Sequence, residues 1–258
     1  MPGYMILKTL KIYLFVFFIC ICSTLRAQEL PNVQNVSVRI PATSKIDGKA
    51  NEWNNKYQSY NSVDRLFYTM ANNDTALYII IQVPGARTLQ KIVDGGVKLT
   101  IPHSSKSVEK SSSVIFPIIN SKRWLLTVDA MVHYFLYAEQ KKDTTLFNKR
   151  KVDSMMTIVN QLLVSTFKEI QVSGIDKINE PAISLNNKYH IFAMAQFNDQ
   201  MALVYELSIP LKYLGLDIIH PQKFRYNVKL TGPPLGSVSV NDIDDGPKDF
   251  WGEYTLIK

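Results

Sequence analysis

Apolar residues recur along this chain in two rhythms, which divide it into strands and one clear helix. Residues 36–40 alternate Val, Val and Ile with Ser and Arg, the pattern of a half-buried strand that Pro41 ends. Residues 65–71 are aromatic and β-favouring, Ala76–Val83 is almost continuously apolar, and Asn72-Asn73-Asp74 lies between them. Asn and Asp side chains bond their own backbone in turns, so this stretch predicts an antiparallel hairpin. Its second arm reads as a central strand covered on both faces. Pro84-Gly85 then breaks the chain, and Gly95-Gly96 leads into a strand over residues 97–101. Residues 103–113 are rich in Ser and Lys without apolar periodicity and read as an exposed loop, followed by a strand over 113–117.

Further on the rhythm changes. Val152, Met155, Met156, Val159, Leu162 and Leu163 recur at spacings of three and four, which predicts an amphipathic helix over Lys149–Thr166. Residues 124–139 are apolar on nearly every side and fit either a buried helix or two strands. From Lys168 the β pattern returns. Ile170 and Val172 alternate, residues 189–196 and 201–209 form a second hairpin-like pair around Asn198-Asp199-Gln200, and residues 212–216 read as a short turn or a single helical turn. Strands follow over 224–230 and 254–257. Short strands punctuated by turn residues predict a mainly all-β fold, an antiparallel β-sandwich of immunoglobulin-like or jelly-roll type. Residues of about 120–166 form a helical insertion in it.

The first 27 residues read as a cleaved secretory signal. Lys8 and Lys11 precede the apolar run 12–22, which is shorter than the roughly 20 residues that span a bilayer, and Ala27 offers a small residue at the cut. The expected mature chain, 28–258, is one domain with no transmembrane span, bound for the periplasm, cell surface or exterior. Both cysteines, Cys20 and Cys22, lie in the signal, so the mature domain must hold together by its core. The signal also takes Lys8, Lys11 and Arg26 from the 29 basic residues and none from the 22 acidic ones, lowering the net charge from +7 to +4. That mild excess is spread along the chain without a basic, aromatic-interleaved stripe, which argues against nucleic acid as a partner.

Ile46-Asp47-Gly48 with Glu52-Trp53, then Asn73-Asp74 and Leu77-Tyr78 within a hairpin, resembles the opening of the family 9 carbohydrate-binding modules. Tyr205-Glu206-Leu-Ser-Ile-Pro210, Leu214-Gly215-Leu216, Asn227 and Trp251-Gly252 resemble the same family's closing strands. Phe116-Pro117 after a lysine-rich stretch is similar to secreted Bacteroidetes proteins that carry this module. The resemblance implies a secreted, non-catalytic sandwich that binds a glycan, with structural calcium as a frequent companion. Haem-binding electron-transfer modules of the DOMON type share a related sandwich. For them His133 or a methionine of the Met155-Met156 pair would serve as axial ligand, although core packing accounts for such methionines more simply.

A pyranose ring shows C–H groups on its faces and hydroxyls at its edge, so sugar recognition needs flat apolar faces beside hydrogen-bonding groups. Trp124, Trp251, Tyr68 and Tyr134 are the candidates. Trp53 reads first as a core plug and second as a stacking platform. Asp242, Asp244 and Asp245 form the densest acidic cluster; their oxygens suit calcium, though such a run is more often a solvated loop and lacks EF-hand spacing. No catalytic constellation stands out. His103, His133, His190 and His220 are scattered without metal-ligand spacing, and no Gly-x-Ser-x-Gly elbow occurs. A protein partner docking on the helix around Met155 and Leu162 is the third reading.

Overall fold

The computed structural model describes residues 29–104, 107–118, 149–232 and 248–258. The chain divides into Met1–Leu30, of which Glu29 and Leu30 are described and exposed, and Pro31–Lys258, which carries the elements below. The first sheet contains β1 (Val38–Arg39), β2 (Ser59–Asn61), β3 (Leu66–Asn72), β4 (Ala76–Val83), β9 (Phe192–Phe197) and β10 (Leu203–Pro210). The second contains β5 (Val97–Ser104), β6 (Ser107–Phe116), β7 (Glu169–Ser173), β8 (Ala182–Ser184), β11 (Lys223–Leu230) and β12 (Lys248–Thr255). Their orders are β1-β3-β4-β10-β9, with β2 also on β3, and β12-β11-β5-β6-β7-β8. Only β1 on β3 is parallel among the described pairs. The architecture is therefore the expected mainly-β sandwich with a helical insertion.

Both anticipated hairpins form. At the β3–β4 turn Asn73 Oδ1 accepts from the backbone N–H groups of Thr75 and Ala76 (2.9 and 2.8 Å). At the β9–β10 turn Asn198 Oδ1 does the same for Gln200 and Ala202. Strand β4 is central and covered on both faces, as its continuous apolar run requires. Ile79, Ile81, Tyr205 and Leu207 of the first sheet meet Leu99, Val114, Tyr226 and Val228 of the second in one buried cluster. Burial of each large aliphatic side chain there contributes about 1.5–3 kcal/mol.

Two helices flank this core. Helix α1 (Ala86–Gly95) bridges β4 to β5 and buries Leu89 and Ile92. It was not expected, although Ala86, Leu89, Ile92 and Val93 between Pro84-Gly85 and Gly95-Gly96 fall at helical spacing; the flanking breakers make the segment read as a break between strands. Helix α2 has the anticipated bounds, Lys149–Thr166, and buries Val152, Met156, Val159 and Leu163. Met155 and Leu162 pack partly against the core, while Ile158 and Val164 are the exposed apolar residues of that helix.

Side-chain amides cap both flanks of the first sheet. On β9, Asn160 of α2 donates Nδ2–H to the Phe197 carbonyl (2.8 Å) and accepts the Phe197 N–H (2.7 Å). On β3, Gln34 bonds the Met70 N–H and C=O in the same way (2.6 and 2.8 Å). Each amide replaces a neighbouring peptide group, and this blunts edges that could otherwise recruit another strand.

Three sequence expectations change. Residues 103–113 are mostly strand: Thr100 pairs with Ser113, Ile101 with Ser112 and Pro102 with Ser111. Hydroxyl bonds replace the missing apolar contacts, with Ser113 Oγ and Ser173 Oγ at 2.7 Å and Ser112 Oγ donating to the Gly174 carbonyl. The last strand is Lys248–Thr255, earlier than 254–257, with Phe250, Gly252 and Tyr254 turned inward and a glycine masking the alternation. The strand expected over 36–40 shrinks to β1, which pairs with β3.

Candidate functional site: a groove on the outer face of the first sheet

Alternation along β4, β9 and β10 sends one set of side chains into the core and the other onto the outer face. Part of that outer face is sealed. The lead-in segment carries a 3-10 turn at Asn51–Trp53 and packs Ala50, Trp53 and Tyr57 over Ala71, Ile80 and Val204. Trp53 is thus the core plug.

The lead-in segment is fastened by Glu206, a lone carboxylate buried in the middle of β10. Its Oε2 accepts the backbone N–H groups of Asp47 and Gly48 (3.0 and 2.8 Å), and Gln196 Nε2–H donates to the Asp47 carbonyl (3.0 Å). Gly48 has φ 79°, and an added Cβ would lie 2.9 Å from the Gln196 backbone nitrogen, so only glycine fits this close approach. Burial pushes the Glu206 carboxyl up to about 7; its two backbone donors oppose the shift, and the charges of Asp47 and Glu52 add to it. The same carboxylate and burial raise the Tyr57 hydroxyl, burial being the larger cause. Glu206 has a structural task here, because both its donors are backbone groups of the segment it holds.

Beyond the sealed part the face is open. Tyr78, Ser208 and Phe192 form one cross-strand row, with Ser208 opposite both aromatic residues. They lie in a groove of about 880 Å³ between the β3–β4 turn, the Leu211–Ile218 segment and the residues preceding β9. Phe192 is 39% exposed, and His190 packs edge-on against it with ring centroids 5.9 Å apart. Tyr78 is half-buried; its hydroxyl accepts from Asn73 Nδ2 (3.0 Å) and keeps its own proton to donate. Asp74, Lys212 and Asp217 supply charged groups along the walls. The volume and the mixture of apolar rings with a few polar groups suit a small organic ligand.

The sequence candidates fall elsewhere. Trp124, Tyr134 and His133, and the acidic cluster Asp242, Asp244 and Asp245, lie outside the described residues. Tyr68 is a core residue: its ring packs against Phe250, and its hydroxyl accepts the Gln34 N–H and meets the Tyr226 hydroxyl at 3.2 Å. It presents no face to a ligand, because alternation along β3 turns it inward. Trp251 is half-buried on the outer face of the second sheet, with the Arg225 guanidinium 4.6 Å above its ring. Its neighbour Gly252 lies in contact with the Tyr226 ring where a Cβ would stand, which explains the glycine of the Trp-Gly pair.

Phe192 and the groove were missed because a single phenylalanine in an alternating strand looks like core. Glu206 carried a signal, as the one charge in an otherwise apolar strand. Among the described residues no group of three or more His, Cys, Asp or Glu could hold a metal ion. The groove also contains His190, in the turn before β9, whose ring packs against Phe192, and Met194 of β9.

The fold defines a class, a two-sheet mainly-β sandwich with an open groove on one outer face. Comparison with protein-family models, with curated proteins and with solved structures finds no match for the chain.

Proposed function

We propose that the protein is an exported, non-catalytic binding module and that a carbohydrate lies in the groove over Tyr78, Ser208 and Phe192. The carrying observation is the pairing of an exposed Phe192 ring and a half-buried Tyr78 with hydrogen-bonding groups across one groove. Aromatic faces meet the C–H faces of a sugar, and the polar groups meet its hydroxyls. The ordered motifs from Ile46-Asp47-Gly48 to Trp251-Gly252 support the same reading. Two of them touch: the Asp47-Gly48 turn docks on Glu206 of the Tyr205-Glu206 motif.

A thermal-shift screen against mono- and oligosaccharides, with and without calcium, tests this, since a ligand of the folded state alone raises the midpoint by mass action. A sugar-specific shift is expected, lost in Phe192→Ala and kept in Trp251→Ala, whose side chain is on the other sheet. A flat result at millimolar saccharide would sink the reading and turn attention to a protein partner for Ile158 and Val164 on α2. Haem is the competing reading, and a Soret band in the purified protein or after haem addition would favour it.

A further inference from the structure

A second cavity, of about 770 Å³, lies beside the groove, and Lys212, Leu216 and Asp217 line both. Three separate parts of the fold bring cations to it: Lys177 from the segment after β7, Lys212 from the 3-10 turn after β10, and Lys223 with Arg225 from the start of β11. Only Lys223 of these has a carboxylate partner among the described residues, Glu253 at 3.2 Å. Lys212 Nζ lies 4.9 Å from the Tyr213 ring centre, and Arg225 lies over Trp251.

The acids in the cavity do not balance these charges. They are Asp176 and Asp217, and Asp217 is already engaged by His220 Nδ1 (2.9 Å) and the Ile219 N–H (2.8 Å). That hydrogen bonding holds the Asp217 carboxyl below the usual carboxylate range. His103 also lines the cavity, with Nε2 2.8 Å from Ser112 Oγ. Four cations against Asp176, Asp217 and the Glu253 partner of Lys223 leave an excess of positive charge, which an entering anion offsets while accepting hydrogen bonds from Lys177, Lys212 and Arg225.

We infer that the ligand is an acidic oligosaccharide, with neutral ring faces on Phe192 and Tyr78 and carboxylate or sulfate groups among Lys177, Lys212, Lys223 and Arg225. This rests on the saccharide reading above. It adds the ligand's charge and the direction in which the chain of sugars runs, out of the groove and round the Leu211–Asp217 turn.

The test is calorimetry with three matched oligosaccharides, one neutral, one uronate and one sulfated, together with inorganic sulfate and a polyglutamate of similar charge. At low salt the uronate or the sulfated sugar is expected to bind about tenfold more tightly than the neutral one, and the advantage should shrink at high salt. Which of the two binds better identifies the acid group. Lys177→Gln combined with Lys223→Gln, both outside the groove, should remove most of the advantage and leave neutral-sugar binding unchanged. Equal binding of neutral and acidic sugars would overturn this inference while leaving the saccharide reading intact. Polyglutamate binding as tightly as the acidic sugars would overturn it as non-specific charge attraction. Absence of binding by all three sugars would remove both readings.

Discussion

The outer faces of the two sheets are built by the same alternation and end differently. On the second sheet that face is mostly polar, with Lys98, Gln171, Arg225 and Glu253 beside buried Thr100 and Ser113, and Ile115 and Trp251 are apolar residues among them. On the first sheet it carries Phe67, Tyr78, Ile80, Val204 and Phe192, which water does not suit. The lead-in segment covers half of that apolar surface through Trp53 and Tyr57 and leaves the other half as the groove. An apolar face incompletely covered by its own chain is where a ligand can gain free energy by completing the burial.

The strongest way to break the contrast is to unseal the covered half. Trp53→Ala removes its central ring, and a loss of about 3–5 kcal/mol is expected by urea unfolding, as for other buried Trp truncations. Unfolding cooperativity should persist, because the cluster between the sheets does not include Trp53.

The Glu206 clasp gives the next effect, through pH. Its folded value of about 7 is above the ordinary 4.5, so between those values the folded chain keeps a proton that the unfolded chain has lost. Its contribution to stability is complete below about 4.5 and is lost as pH rises through about 7, a change on the order of 3 kcal/mol. Glu206→Gln should unfold with a flatter profile than the wild type across that window. Superimposable profiles would show that the carboxyl is not held in the way its surroundings imply.

The smallest effect sharpens the contrast from the second sheet. Gly252→Ala drives a methyl into the Tyr226 ring and disturbs its contact with the Tyr68 hydroxyl. A loss of about 1–3 kcal/mol is expected from overpacking, read by chemical denaturation. Saccharide binding at the groove should be unchanged once the protein is folded. Altered binding would mean that the two outer faces are coupled through the core.

Much of the fold was legible, and the reasons are local. The Asn73 and Asn198 turns, the buried run of β4 and the three-four spacing of α2 each express a preference of adjacent residues. The β5–β6 hairpin was not legible, since serine hydroxyls that pair across strands look in sequence like a solvated loop. The site was less legible still. Aromatic type alone brought Tyr68 and Trp251 forward, yet whether a ring faces the core, an arginine or a groove depends on which strand lies beside it.

The sequence by itself determined the class of the molecule, its β3–β4 and β9–β10 hairpins, its one long helix and the lead-in motif around Asp47-Gly48, because periodicity and turn chemistry act between near neighbours. Only the tertiary structure decided that Gln34 and Asn160 would close the two flanks of one sheet. It also decided that Glu206 would hold a turn from the other end of the chain, and that Tyr78 and Phe192 would share a groove. Those outcomes depend on contacts such as Gln34 with Met70, Asn160 with Phe197, Tyr78 with Ser208 and Gly48 with Glu206, separations over which no local pattern carries information.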